Sequence, residues 1–411
     1  MTQEQVREAQ RAFGTPVFVY DERMFERRAR EMLAFPNAYG LTVRFAMKAL
    51  PSRAVIRLFD ELGLHVDASS GFEAERALRA GVAPGKIQVT AQELPQDLEG
   101  LIRKGVRFNA CSLHQLEEYG ARFPDTEVSV RINPGLGSGH SNRTNVGGAS
   151  SSFGIWHEYL DLVFGKAAKY GLRLTRMHTH IGSGSDPDLW LRCARMSLDI
   201  AARMPGVSLL SLGGGYKVAR MPDEKGANVQ EIGVRILPEF ERFAREHGRK
   251  LHLEVEPGTY LTANAGALVC TVIDVVDTGT DGYRFLKLDS GMTDIMRPSM
   301  YGAWHPLVVV PSVEVPRGAE SYVVAGHCCE SGDILTPERG NPEGIAPREM
   351  LQAVIGDAVV IEGAGAYCAA QSAKNYNSFP DAPEVLLTKT GKFRLIRKRQ
   401  TLDQMFENEL D

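Results

Sequence analysis

Long apolar runs, cysteine frameworks and an excess of charge of either sign are all missing from this 411-residue sequence. No stretch of about eighteen apolar residues occurs, so nothing reads as membrane-spanning. The opening segment "MTQEQVREAQRAFG" is polar and lacks the apolar region of a secretory leader, which points to a cytoplasmic protein. The formal net charge is −4, with no basic footprint, which argues against a nucleic-acid partner. The six cysteines form no CxxC pair or regular pattern. A disulfide framework is therefore not expected, and Cys111, Cys193, Cys270 and Cys368 read as reduced, buried core residues. Low-complexity segments and obvious linkers are absent too.

What is present is ordinary in bulk and patterned in detail. The chain is 43% hydrophobic and 24% charged, typical of a globular protein. Its length exceeds most single cores, so one large domain plus a smaller one is expected. Between residues 43 and 256 eight β-rich runs alternate with helical stretches: "VRFAMK", "LHVDAS", "KIQVTA", "VRFNAC", "EVSVRIN", "LTRMHTHI", "VSLLSLG" and "LHLEVE". Eight parallel strands, each followed by a helix, make a (β/α)8 barrel. Two of the helical stretches open with Ser70–Glu73 and Ser112–Gln115, the spacing of a capping box. After residue 267 the texture becomes that of a mostly antiparallel β domain, in "ALVCTVIDVVD", "YRFLKLD", "SYVVAGHC", "DAVVIEG" and "KFRLIRK". The early run "PVFVYD" is a strand able to pair into that domain. The expected division is residues 23–266 for the barrel, with 1–22 and 267–411 forming the β domain.

In "LHLEVEPGTYL" strand alternation puts His252, Glu254 and Glu256 on one face, and the strand stops at Pro257-Gly258. Active sites of such barrels sit at the carboxyl ends of the strands. Here those ends carry Lys48, then His178, His180 and "IGSGS", then Gly213-Gly214-Gly215, then Glu256. Taken singly each is unremarkable: a solvated lysine, a structural histidine, a tight turn. Converging on one rim they form the set that pyridoxal phosphate requires. A lysine amine forms the Schiff base. Glycines let backbone N–H groups approach a phosphate. A carboxylate, Glu256 ahead of Glu254, holds a proton on the pyridine nitrogen and strengthens the electron sink.

"FAMKAL", "HTHIGSGSD", "SLGGGY", "EVEPG", "MRPSMYGAWH", "CESGD" and "GAGAY…NYNS", in that order, resemble the fold-type III pyridoxal-phosphate decarboxylases. In pattern the chain is most similar to the diaminopimelate decarboxylases, which "RINPGLGSGHSNRTNVGGASSSFGIW" also resembles. The resemblance spans nearly the whole chain. It implies a homodimer with active sites at the subunit interface, an amino-acid substrate, and conversion of meso-diaminopimelate to L-lysine and carbon dioxide. It implies Lys48 as the Schiff-base lysine, His180 against the cofactor ring and Glu256 on its nitrogen. Ser183, Gly213, Gly214, Gly215, Gly258 and Tyr376 match the phosphate-binding set, Tyr376 also facing substrate. Arg297 and Tyr301 match the substrate-contacting pair of "RPxxY". Cys329, as proton donor, and Glu330, holding the distal amine, match a pair contributed by the other subunit. Cys328 and His178 are read as structural, Asp289 and Asp294 as flanking Arg297. No metal is implied.

The sequence departs from the family pattern at Thr259, which follows "EPG" where relatives carry an arginine that binds an anion at this rim. Lys217 and Arg220, just after the glycines, are the candidates to supply the missing charge. Ser152 before "FGIW" and Leu50 after "KA" are smaller departures. Thr259 leaves open a decarboxylase acting on another basic amino acid, a carboxylated polyamine or a carrier-linked substrate. A racemase of similar layout is disfavoured by Glu256, because its cofactor nitrogen meets an arginine. A non-catalytic cofactor-binding homologue is disfavoured by the presence of Lys48 and Cys329.

Overall fold

Period-two alternation and helical amphipathy resolve, in the computed structural model, into twenty strands and twelve α-helices among the described residues, which are 1–136, 147–180 and 182–410. The motif residues 137–146 and Ile181 lie outside them. The chain opens with α1 (Gln3–Phe13), β1 (Val17–Asp21) and α2 (Glu22–Leu33). There follow β2 (Leu41–Ala46), α3 (Arg53–Glu61), β3 (His65–Ala68), α4 (Gly71–Ala80), β4 (Ile87–Val89), α5 (Leu98–Lys104), β5 (Arg107–Ala110) and α6 (Leu113–Arg122). Next come β6 (Glu127–Asn133), β7 (Ile155–Trp156), α7 (Leu160–Lys169), β8 (Arg173–His178), α8 (Pro187–Ala202), β9 (Leu209–Ser211), α9 (Val229–His247) and β10 (His252–Val255).

Strands β2, β3, β4, β5, β6, β8, β9 and β10 pair in parallel, and the β5–β6 and β10–β2 ladders close the ring, so the eight runs form the expected barrel. The barrel and the short helix α10 (Thr259–Thr262) that follows β10 belong largely to one unit, Glu26–Val218 with Lys225–Leu261.

The capping positions are half as expected. Ser70 and Ser112 accept from the N–H groups of Glu73 and Gln115, each at 3.0 Å. The reciprocal arms reach one residue further back, so that Ser69 N–H donates to Glu73 and Cys111 N–H to Gln115, each at 2.7 Å. The extended φ of Ser70 and Ser112 turns their own N–H groups out of reach.

Most barrel interiors are filled with branched apolar side chains. This one is polar. Buried Arg44, Asp67, Gln88, Thr90, Asn109, Ser129, Arg131, Arg176, His178, Ser211, Glu254 and Glu256 all lie on its strands or strand ends. Glu254 is fully buried and pairs with Arg44 Nη2 at 2.8 Å and with Arg176. Strands β8 and β10 are separated by β9, so Arg176 and Glu254 meet only because both point into the lumen. Burying charge is unfavourable unless it is paired, and two guanidinium groups around one carboxylate provide the pairing.

The second unit comprises Met1–Phe25, Ala219–Glu224 and Thr262–Asp411. Its strands are β11 (Gly266–Asp277), β12 (Arg284–Leu288), β13 (Leu307–Val310), β14 (Ala319–Ala325), β15 (Pro337–Glu338), β16 (Asn341–Ile345), β17 (Arg348–Leu351), β18 (Ala358–Ile361), β19 (Glu384–Leu387) and β20 (Phe393–Arg397). The short helix α11 (Arg297–Tyr301) lies between β12 and β13, and α12 (Leu402–Phe406) follows β20. β1 lies between β11, antiparallel to it, and β19, parallel to it. Apart from these β1–β19 and β12–β14 ladders, the unit's ladders are antiparallel.

Helix α1 was not legible in a segment so polar. It is capped by Thr2 and Gln5, and packs Val6, Ala9 and Phe13 on Val17, Val19, Val269, Val360 and Val385. Each such valine contributes roughly 1.5–3 kcal/mol by leaving water. No helix among the described residues is long and apolar enough to cross a membrane.

Candidate active site

The parallel ladder runs past the formal strand ends and fixes the rim. Glu256 N–H donates to Gly213 O at 2.8 Å, and Ala46 N–H to Pro257 O at 3.1 Å. Glu256, the Gly213–Gly215 turn and the β2 terminus are thereby placed side by side. Lys48 follows in a single 3-10 turn, Met47–Ala49, whose flanking residues are buried while Lys48 is exposed. Gly258 packs beneath that turn; a Cβ there would lie 3.1 Å from both Ala46 O and Ala49 Cβ.

Glycine is required at 214 and 215 by backbone approach. A Cβ on Gly214 would meet Glu256 O at 2.2 Å, and one on Gly215 (φ +99°) would meet Gly182 O at 1.7 Å. The turn therefore lies against the 182–184 segment, where Gly184 N–H donates to Gly215 O at 2.9 Å, and Ser183 shares that segment. Lys217 continues from it, its N–H on Gly184 O at 3.3 Å.

His180 stands over the same turn. Its Nδ1 accepts from Gly214 N–H at 2.9 Å, so the proton sits on Nε2. Burial, with the Arg131 and Lys48 charges nearby, holds its pKa well below the usual value, and the ring is neutral.

Glu256 is buried, and both its oxygens are held. His178 Nε2 lies 2.8 Å from Oε2, and Ser211 Oγ donates to Oε1 at 2.9 Å. Burial alone would raise this carboxyl, but the contacts with His178 and Ser211 outweigh it and keep the group ionised below the ordinary carboxylate range. Burial lowers His178. We assign a neutral imidazole donating through Nε2, with its buried Nδ1 lacking a partner among the described residues.

Two further lumen residues, Asp67 and Arg131, feel the charge of this carboxylate. Burial and the Glu256 charge push Asp67 well above the usual range, against Lys48 and a 2.6 Å hydrogen bond from Thr90. Burial lowers Arg131, while Cys111, Glu256 and Asp67 favour its charge.

Sequence reasoning passed over Asp67, Arg131 and Ser211, and read His178 as merely structural. The available signal was parity, since Ser129-x-Arg131-x-Asn133 and His178-x-His180 alternate as His252-x-Glu254-x-Glu256 does. Thr259 is half-buried at the start of α10. Ser152 accepts from Gln92 at 3.1 Å, and Leu50 is buried.

The other candidates belong to the β unit. Arg297 opens α11 and donates from Nε to His305 Nε2 at 3.3 Å. Tyr301, at the end of α11, accepts from Gln371 at 3.2 Å. Asp289 and Asp294 do not pair with Arg297. Asp289 accepts from Thr15 at 2.5 Å and from Thr271 N–H at 2.7 Å, and Asp294 from Ser290 at 2.8 Å.

Cys329, Glu330 and Tyr376 lie together. Cys329 N–H donates to Asn377 at 2.9 Å, and Tyr376 Oη is 3.5 Å from Glu330 Oε2. Their turn holds Asn375, Asn377 and Ser378 at positive φ, strain of the kind that clusters at functional sites. Cys329 is exposed, whereas burial and Asp333 push the half-buried Cys328 up to about 12.

The donor set suits pyridoxal phosphate. It offers an amine, a flat neutral imidazole, an ionised carboxylate and a glycine turn on one rim. An eight-stranded parallel barrel with that rim, in a chain that also carries a mixed β sheet, defines a pyridoxal-dependent decarboxylase by class. Residues 23–263 match the family model "Pyridoxal-dependent decarboxylase, pyridoxal binding domain". The chain is 36% identical over 408 residues to the diaminopimelate decarboxylase of Escherichia coli strain K12, covering 97% of this chain and 94% of that protein. Identity to the Streptomyces coelicolor diaminopimelate decarboxylase is also 36%, over 97% of this chain and 90% of that one. A crystal structure of diaminopimelate decarboxylase superposes with a TM-score of 0.92 at 35% identity, covering 100% of this chain and 97% of that chain. The chain belongs to the diaminopimelate decarboxylase family of pyridoxal-dependent decarboxylases.

Proposed function

We propose that the protein decarboxylates meso-diaminopimelate at its D-configured centre, giving L-lysine and carbon dioxide. The observation that carries this reading is Glu256. A buried carboxylate kept ionised by His178 and Ser211 is what a protonated pyridine nitrogen needs as partner.

Pyridoxal phosphate, when bound, supplies the sink for the electron pair left behind by the departing carboxylate. In the proposed site Lys48 anchors the cofactor by its amine, and Glu256 holds the ring proton. The neutral His180 would face the ring without adding a competing charge. Ser183, the Gly213–Gly215 turn and Gly258 line the phosphate, with Thr259 beside them and Tyr376 contributing a hydroxyl. Arg297 and Tyr301 take the distal carboxylate, because a guanidinium fork matches carboxylate geometry. Glu330 takes the distal ammonium, and Cys329 delivers the proton that replaces carbon dioxide.

The working unit is a cytoplasmic homodimer, with Cys329 and Glu330 serving the other subunit's substrate. The proposed division, 23–266 for the cofactor-binding domain and 1–22 with 267–411 for the β domain, differs from the two compact units by a few residues at its bounds and by Ala219–Glu224, which stands with the β unit.

The test is carbon dioxide release by the reconstituted protein from meso-diaminopimelate, D- and L-lysine, D- and L-ornithine, L-arginine and carboxynorspermidine. Release from meso-diaminopimelate alone, with L-lysine as product, is the expected result. Preference for any other amine overturns the substrate assignment and makes Thr259 part of a specificity change. Silence across the panel, with cofactor bound, overturns it in favour of a larger or carrier-linked substrate.

A further inference from the structure

Four arginines of the β unit gather around Trp304 and His305; Arg339, 4.6 Å from the Trp304 ring centroid, pairs with Asp223, whereas Arg220, Arg297 and Arg348 have no carboxylate partner among the described residues. Arg348 donates from Nη1 to His305 O at 2.7 Å and lies 4.4 Å from the Trp304 ring centroid, while its Nε and Nη2 are buried without a partner. Arg297 is held by one nitrogen only, Nε on His305 Nε2. The acceptor role of that Nε2 is fixed from behind, because His305 Nδ1 must donate to Glu362 O at 2.9 Å.

Arg220 approaches the same segment from the short stretch Ala219–Glu224. It donates from Nε to Gly363 O at 3.0 Å, the carbonyl next to the one that holds His305. Its Nη2 is buried with no partner among the described residues. Burial and the nearby Arg297 charge pull Arg220 down to about 9. The two acids closest in sequence are taken: Asp223 pairs with Arg339, and Glu224 accepts from Arg220 N–H at 2.8 Å and Met221 N–H at 3.3 Å.

Buried donors are normally satisfied, and two like charges brought together without a counter-ion mark a place for an anion. Each of these two guanidinium groups is fixed through Nε, which leaves its terminal nitrogens for a forked contact.

We propose that Arg220 joins Arg297 in binding the distal carboxylate of the substrate and is a specificity-determining residue of this chain. The inference rests on the decarboxylation reading above and deepens it: the preferred substrate carries a second carboxylate. It also selects between the two cations considered for the charge absent at Thr259. Lys217 belongs to the barrel unit, whereas Arg220 stands with Arg297.

The test uses reconstituted enzyme as wild type, Arg220→Gln and Arg220→Lys. Loss of a charge-assisted contact predicts a KM for meso-diaminopimelate raised by about ten- to a hundredfold in Arg220→Gln, with kcat changed far less. Arg220→Lys, which keeps the charge without the fork, recovers part of the loss. A second readout needs no turnover. L-lysine retains the distal carboxylate and cadaverine does not, so thermal stabilisation by L-lysine falls in Arg220→Gln while that by cadaverine is unchanged. If Arg220→Gln fails to fold, the same comparison is made on Arg220→Lys.

An unchanged KM, or equal losses for L-lysine and cadaverine, overturns the assignment of Arg220. A wild type inert towards meso-diaminopimelate but stabilised by L-lysine through Arg220 overturns the decarboxylation reading and leaves the carboxylate site standing.

Discussion

Glu256 shows at the level of one residue how environment decides chemistry. Two residues earlier on the same face, Glu254 has its charge taken up by Arg44 and Arg176. Glu256 meets a neutral imidazole and a hydroxyl instead, which orient it and leave its charge uncompensated for an incoming cation. His178 is thus a positioning residue. Removing a hydrogen bond to a charged group costs about 1.5–3 kcal/mol. His178→Phe should then lower kcat by about one to two orders of magnitude and weaken cofactor binding in an absorbance titration. His178→Gln, which restores an N–H donor, should recover part of both. Equal kcat in wild type and His178→Phe would contradict the positioning role.

The shared face of His252, Glu254 and Glu256 was legible because strand alternation is local. Their partners were not, since residues 44, 176, 178 and 211 become neighbours only through barrel closure. The same reason hid Arg220, whose orphaned nitrogen is a property of the fold around residues 304–305 and 362–363.

At the level of elements, the barrel lumen substitutes ion pairs for the usual branched apolar layers. Removing one partner of a buried pair typically costs 3–5 kcal/mol, whereas replacing all partners with apolar groups is often neutral. Glu254→Leu should therefore destabilise the protein by about 3–5 kcal/mol, read as a shift of the urea midpoint. The triple variant Arg44→Met, Arg176→Met, Glu254→Leu should recover most of that loss. A single variant as stable as wild type would show that the triad contributes nothing.

The eight barrel strands were readable because each run is short, β-rich and followed by a patterned helix. Helix α1 was not, because only Val6, Ala9 and Phe13 mark its buried side in a run of polar residues. The helix caps were read correctly for the serines and displaced by one residue for the acid and amide arms, a difference set by backbone φ.

At the level of the whole molecule, pH enters through Asp294, which is buried in the β unit and hydrogen-bonded by Ser290. Burial is the main cause that raises its pKa from 3.8 to about 7. A folded pKa above the unfolded one means that the folded state holds the proton to higher pH. Stability is then lost as pH rises from about 4 through 7, by up to about 4 kcal/mol for a shift of this size. Asp294→Asn, neutral throughout, should remove that slope. Urea unfolding at pH 5 and pH 8.5 should show wild type losing more stability at the higher pH than the variant, in which the raised Asp67 still titrates. Parallel pH dependence in both proteins would contradict the assignment.

The central claim is that the carboxyl ends of the barrel strands hold pyridoxal phosphate through Lys48. Borohydride reduction of the reconstituted protein, followed by peptide mapping by mass spectrometry, tests it most directly. The account predicts a pyridoxyl group on Lys48 alone, and none fixed in Lys48→Ala. A label on another lysine, or a Lys48→Ala protein that still fixes the cofactor, would contradict it.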